Sequence, residues 1–171
     1  MKLSGAHQFT GSADDVYERL LDPEILRRCM PGCERLEPVG EGRFELTFSV
    51  PVPAIKGQYS GTVEILDQEP PSSFRMKIEA TGQNGFVNAD AVLRVDADGE
   101  GTTVRYDADA RVGGPAASVG QRVLTGISRR QVDQMMRCLD RSGAPKPGLL
   151  ARIRAWFRAR FGRGERRAGH D

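Results

Sequence analysis

The chain has 171 residues, 39% of them hydrophobic, enough for one domain with a real core plus a short appendage. No stretch approaches 18 uncharged apolar residues, which on sequence grounds excludes a membrane-spanning helix. The net charge of +2 conceals an asymmetry: from Pro145 onward, Lys146 and seven arginines stand against Glu165 and Asp171, so a strongly basic tail follows a mildly acidic body. That contrast points to an anionic partner for the tail.

Residues Met1 to Gly5 lack the apolar run of a secretory signal, so a cytoplasmic location is expected, and three cysteines in such a chain are expected as reduced thiols. Lys2 to Phe9 alternates, with Leu3, Gly5, His7 and Phe9 on one side, and reads as a strand. Ser12 with Asp15 approximates a capping box, and Ala13, Val16, Tyr17, Leu20 and Leu21 form the apolar stripe of a short helix. Asp22-Pro23 ends that helix and begins a second, which runs to about Cys29 and stops before Pro31-Gly32.

Alternation then takes over. Leu36 to Val39 is a weak strand, and Arg43 to Val50 a clear one with Phe44, Leu46, Phe48 and Val50 facing one way. Pro51-Val52-Pro53 breaks it. Ile55 to Leu66 follows, with Gly57, Tyr59, Gly61, Val63 and Ile65 aligned. Ser73 to Thr81, Phe86 to Ala97 and Thr103 to Val112 complete the set, joined by turns at 67–72, 82–85 and 98–101. Consecutive strands with short turns make an antiparallel meander with one wet face. Gly113-Gly114 and Pro115 then open a helix predicted to run unbroken to Arg141, roughly 40 Å at about 1.5 Å per residue. Its apolar stripe combines Val119, Val123, Ile127 and Met135 with Leu124, Val132, Met136 and Leu139.

Strand, two helices, six strands and a long helix is an α+β order that resembles the START-like, or Bet v 1-like, helix-grip fold. The pieces Asp22-Pro23-Glu24, Met30-Pro31-Gly32-Cys33, Tyr59-Ser60-Gly61, Pro70-Pro71 and Val112-Gly113-Gly114 are similar to those of the carbon monoxide dehydrogenase G-subunit family, in the same order, over roughly residues 1–139. Cys29, in addition to Cys33, departs from the family's pattern. The resemblance implies a sheet wrapped on the last helix, a cavity between them, and an accessory role beside molybdenum-dependent hydroxylases of the CO dehydrogenase type at the membrane.

Register arithmetic locates small residues. A tight turn at 98–101 sets Ala91 opposite Ala108 and Ala89 opposite Ala110, and a similar turn at 67–72 sets Tyr59 opposite Ala80 and Gly57 opposite Gly82. Gly61, Ala80 and these alanines gather at one end of the sheet, where the helix start offers Ala116, Ala117 and Gly120. Such truncated walls leave unfilled volume or permit closer backbone approach; the fold resemblance favours a cavity, with Phe44, Phe48, Tyr59, Phe86 and Tyr106 as its aromatic lining. The expected occupant is apolar, a prenyl or acyl ligand. Menaquinone or ubiquinone suits a hydroxylase whose electrons must reach a bilayer-confined acceptor. No covalent cofactor is expected.

Catalytic and metal readings are weak. Cys29 and Cys33 flank Met30-Pro31-Gly32, but Cys138, His7 and His170 are the other soft ligands, too few for a convincing zinc or cluster site. His7 reads as a core or edge histidine, and no nucleophile motif or phosphate loop is present, so neither catalytic nor metal residues are assigned. The competing readings are a small enzyme of the aromatase/cyclase type and a plain lipid carrier.

The chain thus divides into a START-like domain at 1–141, a linker at 142–148 and a tail at 149–171. At 100° per residue, Leu149, Leu150, Ile153, Trp156, Phe157 and Phe161 share an arc, while Arg152, Arg154 and Arg158 flank or oppose it and Arg160 falls inside it. This is the composition of an interfacial helix on an anionic membrane surface, giving a protein peripheral to the inner face of the cytoplasmic membrane. No nucleic-acid partner is assigned, although arginines alone do not separate lipid phosphate from RNA phosphate.

Overall fold

The alternating stretches become seven strands: β1 (Lys2–Thr10), β2 (Cys33–Gly40), β3 (Arg43–Val50), β4 (Gly57–Glu69), β5 (Ser73–Gly82), β6 (Gly85–Asp98) and β7 (Gly101–Gly113). The computed structural model describes residues 1–143, and the predicted tail helix lies outside the described residues. All strand neighbours are antiparallel, in the order β1-β7-β6-β5-β4-β3-β2. Because side chains alternate across a strand, the sequence period assigns the faces. Leu3, Phe9, Leu46, Val50, Tyr59, Val63, Phe74, Leu93, Val95 and Val104 are buried on the inner one.

Among the described residues, three helices cover that face: α1 (Ala13–Leu21), α2 (Pro23–Cys29) and α3 (Gln121–Arg141). The Ser12 hydroxyl accepts the Asp15 N–H at 3.2 Å, and Asp22 Oδ1 accepts the N–H groups of Glu24 and Ile25. These side chains satisfy amides that a helix start leaves without partners, which is why both helices begin where they do. The main core joins Val16, Tyr17, Leu20 and Ile25 to Phe74, Leu93, Val95, Val104, Met136 and Leu139. The second half of α3 therefore grips the core, and the helix packs chiefly on β1 and α2.

Three expectations are corrected. The final helix is not continuous from Gly113: β7 persists to that residue, Pro115–Val119 is a 3-10 turn, and α3 starts at Gln121. The Ala116 N–H donates to Asn84 O at 2.7 Å, holding the turn against the β5–β6 hairpin, and Gly120 at φ 87° breaks the chain direction. Cys29 and Cys138 form a disulfide, leaving Cys33 as the free thiol; their separation of 109 residues hides the pairing from any local reading.

The third correction concerns register. The β6–β7 pairs Ala91↔Ala108 and Ala89↔Ala110 are as expected, but β4–β5 pairs Tyr59 with Gly82 and Gly61 with Ala80. The cause is an irregularity between Leu66 and Glu69, which moves the centre of the turn. A slip of two residues preserves the faces.

Candidate functional site

Between the first half of α3 and the ends of β3 and β4 the molecule holds an open cleft of about 880 Å³. Its walls come from Pro31 and Gly32 after α2, Ser49 to Val52 at the end of β3, Lys56 to Gln58 at the start of β4, and Arg122 to Gln134 along α3. α3 starts after Gly120 and meets the main core through its second half, while in its first half Leu124 is the buried residue and Arg122, Val123, Gly126, Ile127 and Arg130 border the cleft. The 51–56 segment is pinned as the opposite wall: Tyr59 Oη donates to Ile55 O at 3.2 Å, and Asn84 Nδ2 donates to Lys56 O.

The lining is amphipathic. Val50, Val52, Val123 and Ile127 supply apolar surface, while Lys56, Arg122, Arg130, Gln131 and Gln134 supply donors. Glu34 stands behind the wall, accepting from Ser49 Oγ and, at 2.6 Å, from Gln58 Nε2. Val50 also belongs to a buried patch with Tyr59 and Ala80, against which Phe48, Val52 and Ile55 pack. The Phe48 and Tyr59 rings stack at 5.4 Å and 16°. Burial raises the Tyr59 phenol's pKa, so its hydroxyl stays a proton-bearing donor.

Of the predicted slot, Gly57 is the residue that lines this cleft among the described residues. Phe48, Tyr59 and Ala80 lie in the patch beside it, whereas Phe44 packs against the separate patch of Leu36, Leu46 and Val63. Ala91 and Tyr106 belong to the main core, with Ala108 packed against it. Tyr106 lies against Gly5, where a Cβ would fall 2.6 Å from its hydroxyl, and burial raises its pKa. Ala110 and Ala116 are buried, Ala89 is half-buried and Ala117 is exposed. Gly61 permits close approach: a Cβ there would stand 1.8 Å from Glu79 O. At that position the missing side chain is replaced by backbone, not by space.

Phe86 is corrected outright. Inward positions on β6 are odd-numbered, so Phe86 faces outward, 40% exposed, with its ring over Gly113. Gly120 has open space around it but is not among the described lining residues. His7 sits on β1 with its ring 5.2 Å from that of Phe9, edge to face. The predicted membrane residues Leu149, Leu150, Arg152, Ile153, Arg154, Trp156, Phe157, Arg158 and Phe161 lie outside the described residues.

Strand register singled out Gly57 of this cleft but not its lining from 31–32, 49–52, 56, 58 and α3. One signal was available: Val123 and Ile127 lie on the helix's apolar stripe yet are surrounded by Arg122, Gly126, Arg130 and Gln131, unlike the Met135–Leu139 end. That mixture marks a face half in contact with protein and half with something else.

A family model, that of the carbon monoxide dehydrogenase G subunit (CoxG), matches residues 5–142. A conserved protein from Geobacillus kaustophilus of known structure is 30% identical, covering 83% of this chain and 94% of that chain with a TM-score of 0.80. A START superfamily protein from Mycobacterium smegmatis is 11% identical over 81% of this chain and 94% of that one, with a TM-score of 0.66. The di-domain ARO/CYC StfQ from the steffimycin biosynthetic pathway is 13% identical, covering 91% of this chain and 52% of its own, with a TM-score of 0.63. The last two show the fold alone, which is START-like. No curated protein matches the chain in sequence.

Proposed function

The chain belongs to the carbon monoxide dehydrogenase G-subunit (CoxG) family, and from that premise we propose that it is a non-enzymatic accessory protein that carries an apolar ligand, a respiratory quinone, between the membrane and a molybdenum-dependent hydroxylase of the CO dehydrogenase type. The observation behind this reading is the 880 Å³ cleft, which falls in the size range of small-molecule sites. A quinone head accepts hydrogen bonds without donating any. Gln131, Gln134, Lys56, Arg122 and Arg130 offer donors, and the valines with Ile127 suit the ring and the first prenyl units.

The physical need is transport. A prenylated quinone is confined to the bilayer, and a hydroxylase in the cytoplasm does not readily meet it. A cleft that shelters the head, on a protein held by its basic tail at the inner membrane surface, bridges the gap. A cyclase-type enzyme on the same fold would have to transfer protons through Lys56, since the other charged groups among the described lining residues are arginines.

The test is titration of the purified protein with short-chain menaquinone and ubiquinone, followed by intrinsic fluorescence and native mass spectrometry. Saturable one-to-one binding that is lost in Ile127→Trp supports the reading. Binding of fatty acids but not quinones would leave a plain lipid carrier, and binding of neither would remove the carrier function.

A further inference from the structure

On the outer face of the sheet several cations are paired: Arg75 with Asp90, Arg94 with Asp107 at 3.1 Å, Arg105 with Asp96 at 2.6 Å and Arg43 with Glu64 at 3.3 Å, whereas Lys77 and Arg111 there form no ion pair among the described residues. At the cleft mouth Lys56, Arg122 and Arg130 are exposed, and among the described residues none forms an ion pair. Apolar surface accompanies them: Val123 is 50% exposed beside Arg122, and Pro51 and Pro53 are exposed on the opposite wall.

We propose that this rim is a membrane-docking face of the domain itself, in which Lys56, Arg122 and Arg130 contact anionic lipid headgroups while Val123 and the 51–53 loop enter the interface, so that the cleft opens onto the bilayer. The choice of a bilayer over an acidic protein rests on the carrier reading above, because an apolar ligand leaves a membrane most easily through a mouth pressed against it. Charge complementarity supports it, since unpaired cations around exposed apolar groups are the composition of an interfacial surface. Charge argues against the chain's own basic tail as the occupant, since its excess of arginines and these three cations carry the same sign.

Two contacts then act together. The tail brings the protein to the surface and the rim orients it, the second contact being made at the high effective concentration that the first creates.

The experiment is hydrogen–deuterium exchange on the full chain with quinone-free vesicles, either phosphatidylglycerol-containing or purely phosphatidylcholine. Anionic vesicles should slow exchange at 51–58 and 120–131. The full-chain variant Arg122→Glu/Arg130→Glu should lose that protection while still co-sedimenting through its tail, with an unchanged circular dichroism spectrum and thermal midpoint. Protection confined to residues beyond 143, equal protection on neutral vesicles, or protection by the purified hydroxylase and not by vesicles would each overturn the proposal. Because the vesicles hold no quinone, the outcome is independent of the titration that tests the carrier reading.

Discussion

Arg19 and Asp140 clasp the two ends of the domain. Arg19 Nη1 on α1 donates to Asp140 O at 3.1 Å, and Asp140 Oδ1 accepts the Thr10 N–H at 2.8 Å. Nη2 of the same arginine donates to Thr10 O at 2.6 Å, so one guanidinium, 1% exposed, ties α1, β1 and the last turn of α3. Burial lowers its pKa while the Asp140 and Asp15 charges oppose that shift, and the group remains a cation at any ordinary pH. With the C-terminal end of α3 fixed so firmly, its N-terminal half keeps Leu124 buried and turns Arg122, Val123, Gly126 and Ile127 to the cleft.

Arg19→Met keeps the aliphatic stem and removes the donors, stranding buried carbonyls at about 1–3 kcal/mol each. A stability loss of about 3 kcal/mol or more is expected in urea denaturation. A loss below about 1 kcal/mol would mean that water replaces the guanidinium.

The faces of the strands other than β2 were legible in the sequence because a two-residue period survives even a two-residue slip, as at Gly61↔Ala80. The β6–β7 register was legible because Asp98 and Gly101 close a two-residue turn. The cleft was not. It depends on where α3 starts after Gly120 and on loops at 31–32 and 51–56, none of which carries a periodic signal. Counting small residues also misled at Gly61, where backbone fills the vacancy.

Tyr17 predicts an alkaline transition. Its phenol packs edge-on to Phe74 at 5.7 Å and donates to Ser73 O at 3.3 Å, and burial pushes its pKa from 10.0 up to about 12. The folded state thus favours the protonated form, so the stabilisation is intact below pH 10 and is lost as pH rises toward 12. Denaturation midpoints measured across that window should fall more steeply for the wild type than for Tyr17→Phe. Parallel slopes would show that other groups govern the decline.

The Cys29–Cys138 bridge ties α2 to α3 across 109 residues. Closing a loop of that size restricts the unfolded chain and stabilises by up to about 4–5 kcal/mol in the chain-entropy account. Dithiothreitol should lower the urea midpoint, and Cys138→Ala should reproduce the reduced protein. Thiol titration in denaturant checks the bond directly: one reactive thiol before reduction, from Cys33, and three after.

Gly126 and Gly61 should respond oppositely to alanine. A Cβ at Gly126 meets nothing within 4 Å, so Gly126→Ala should stabilise the exposed helix by about 0.5–1 kcal/mol. At Gly61 the added methyl collides with Glu79 O, and β4 and β5 must part. Gly61→Ala should therefore lower the thermal midpoint. Because Gly126 lines the cleft and a Cβ there meets nothing within 4 Å, Gly126→Trp should block ligand uptake while the thermal midpoint holds. Ala91→Trp, by contrast, is a core substitution and should unfold the domain.

The pairing of β1 with β7, Lys2 opposite Asp109 through Thr10 opposite Gly101, sets a timetable for synthesis. On the ribosome the first strand emerges with its apolar face of Leu3 and Phe9 and its ladder unmatched, and it waits until the last strand has followed. At ordinary elongation rates that interval is on the order of ten seconds, long compared with local hairpin formation. The nascent meander from β2 to β6 can assemble meanwhile, but the sheet closes only at the end, so substitutions at Leu3 or Phe9 should reduce the yield of newly made protein through chaperone dependence as well as through the final stability.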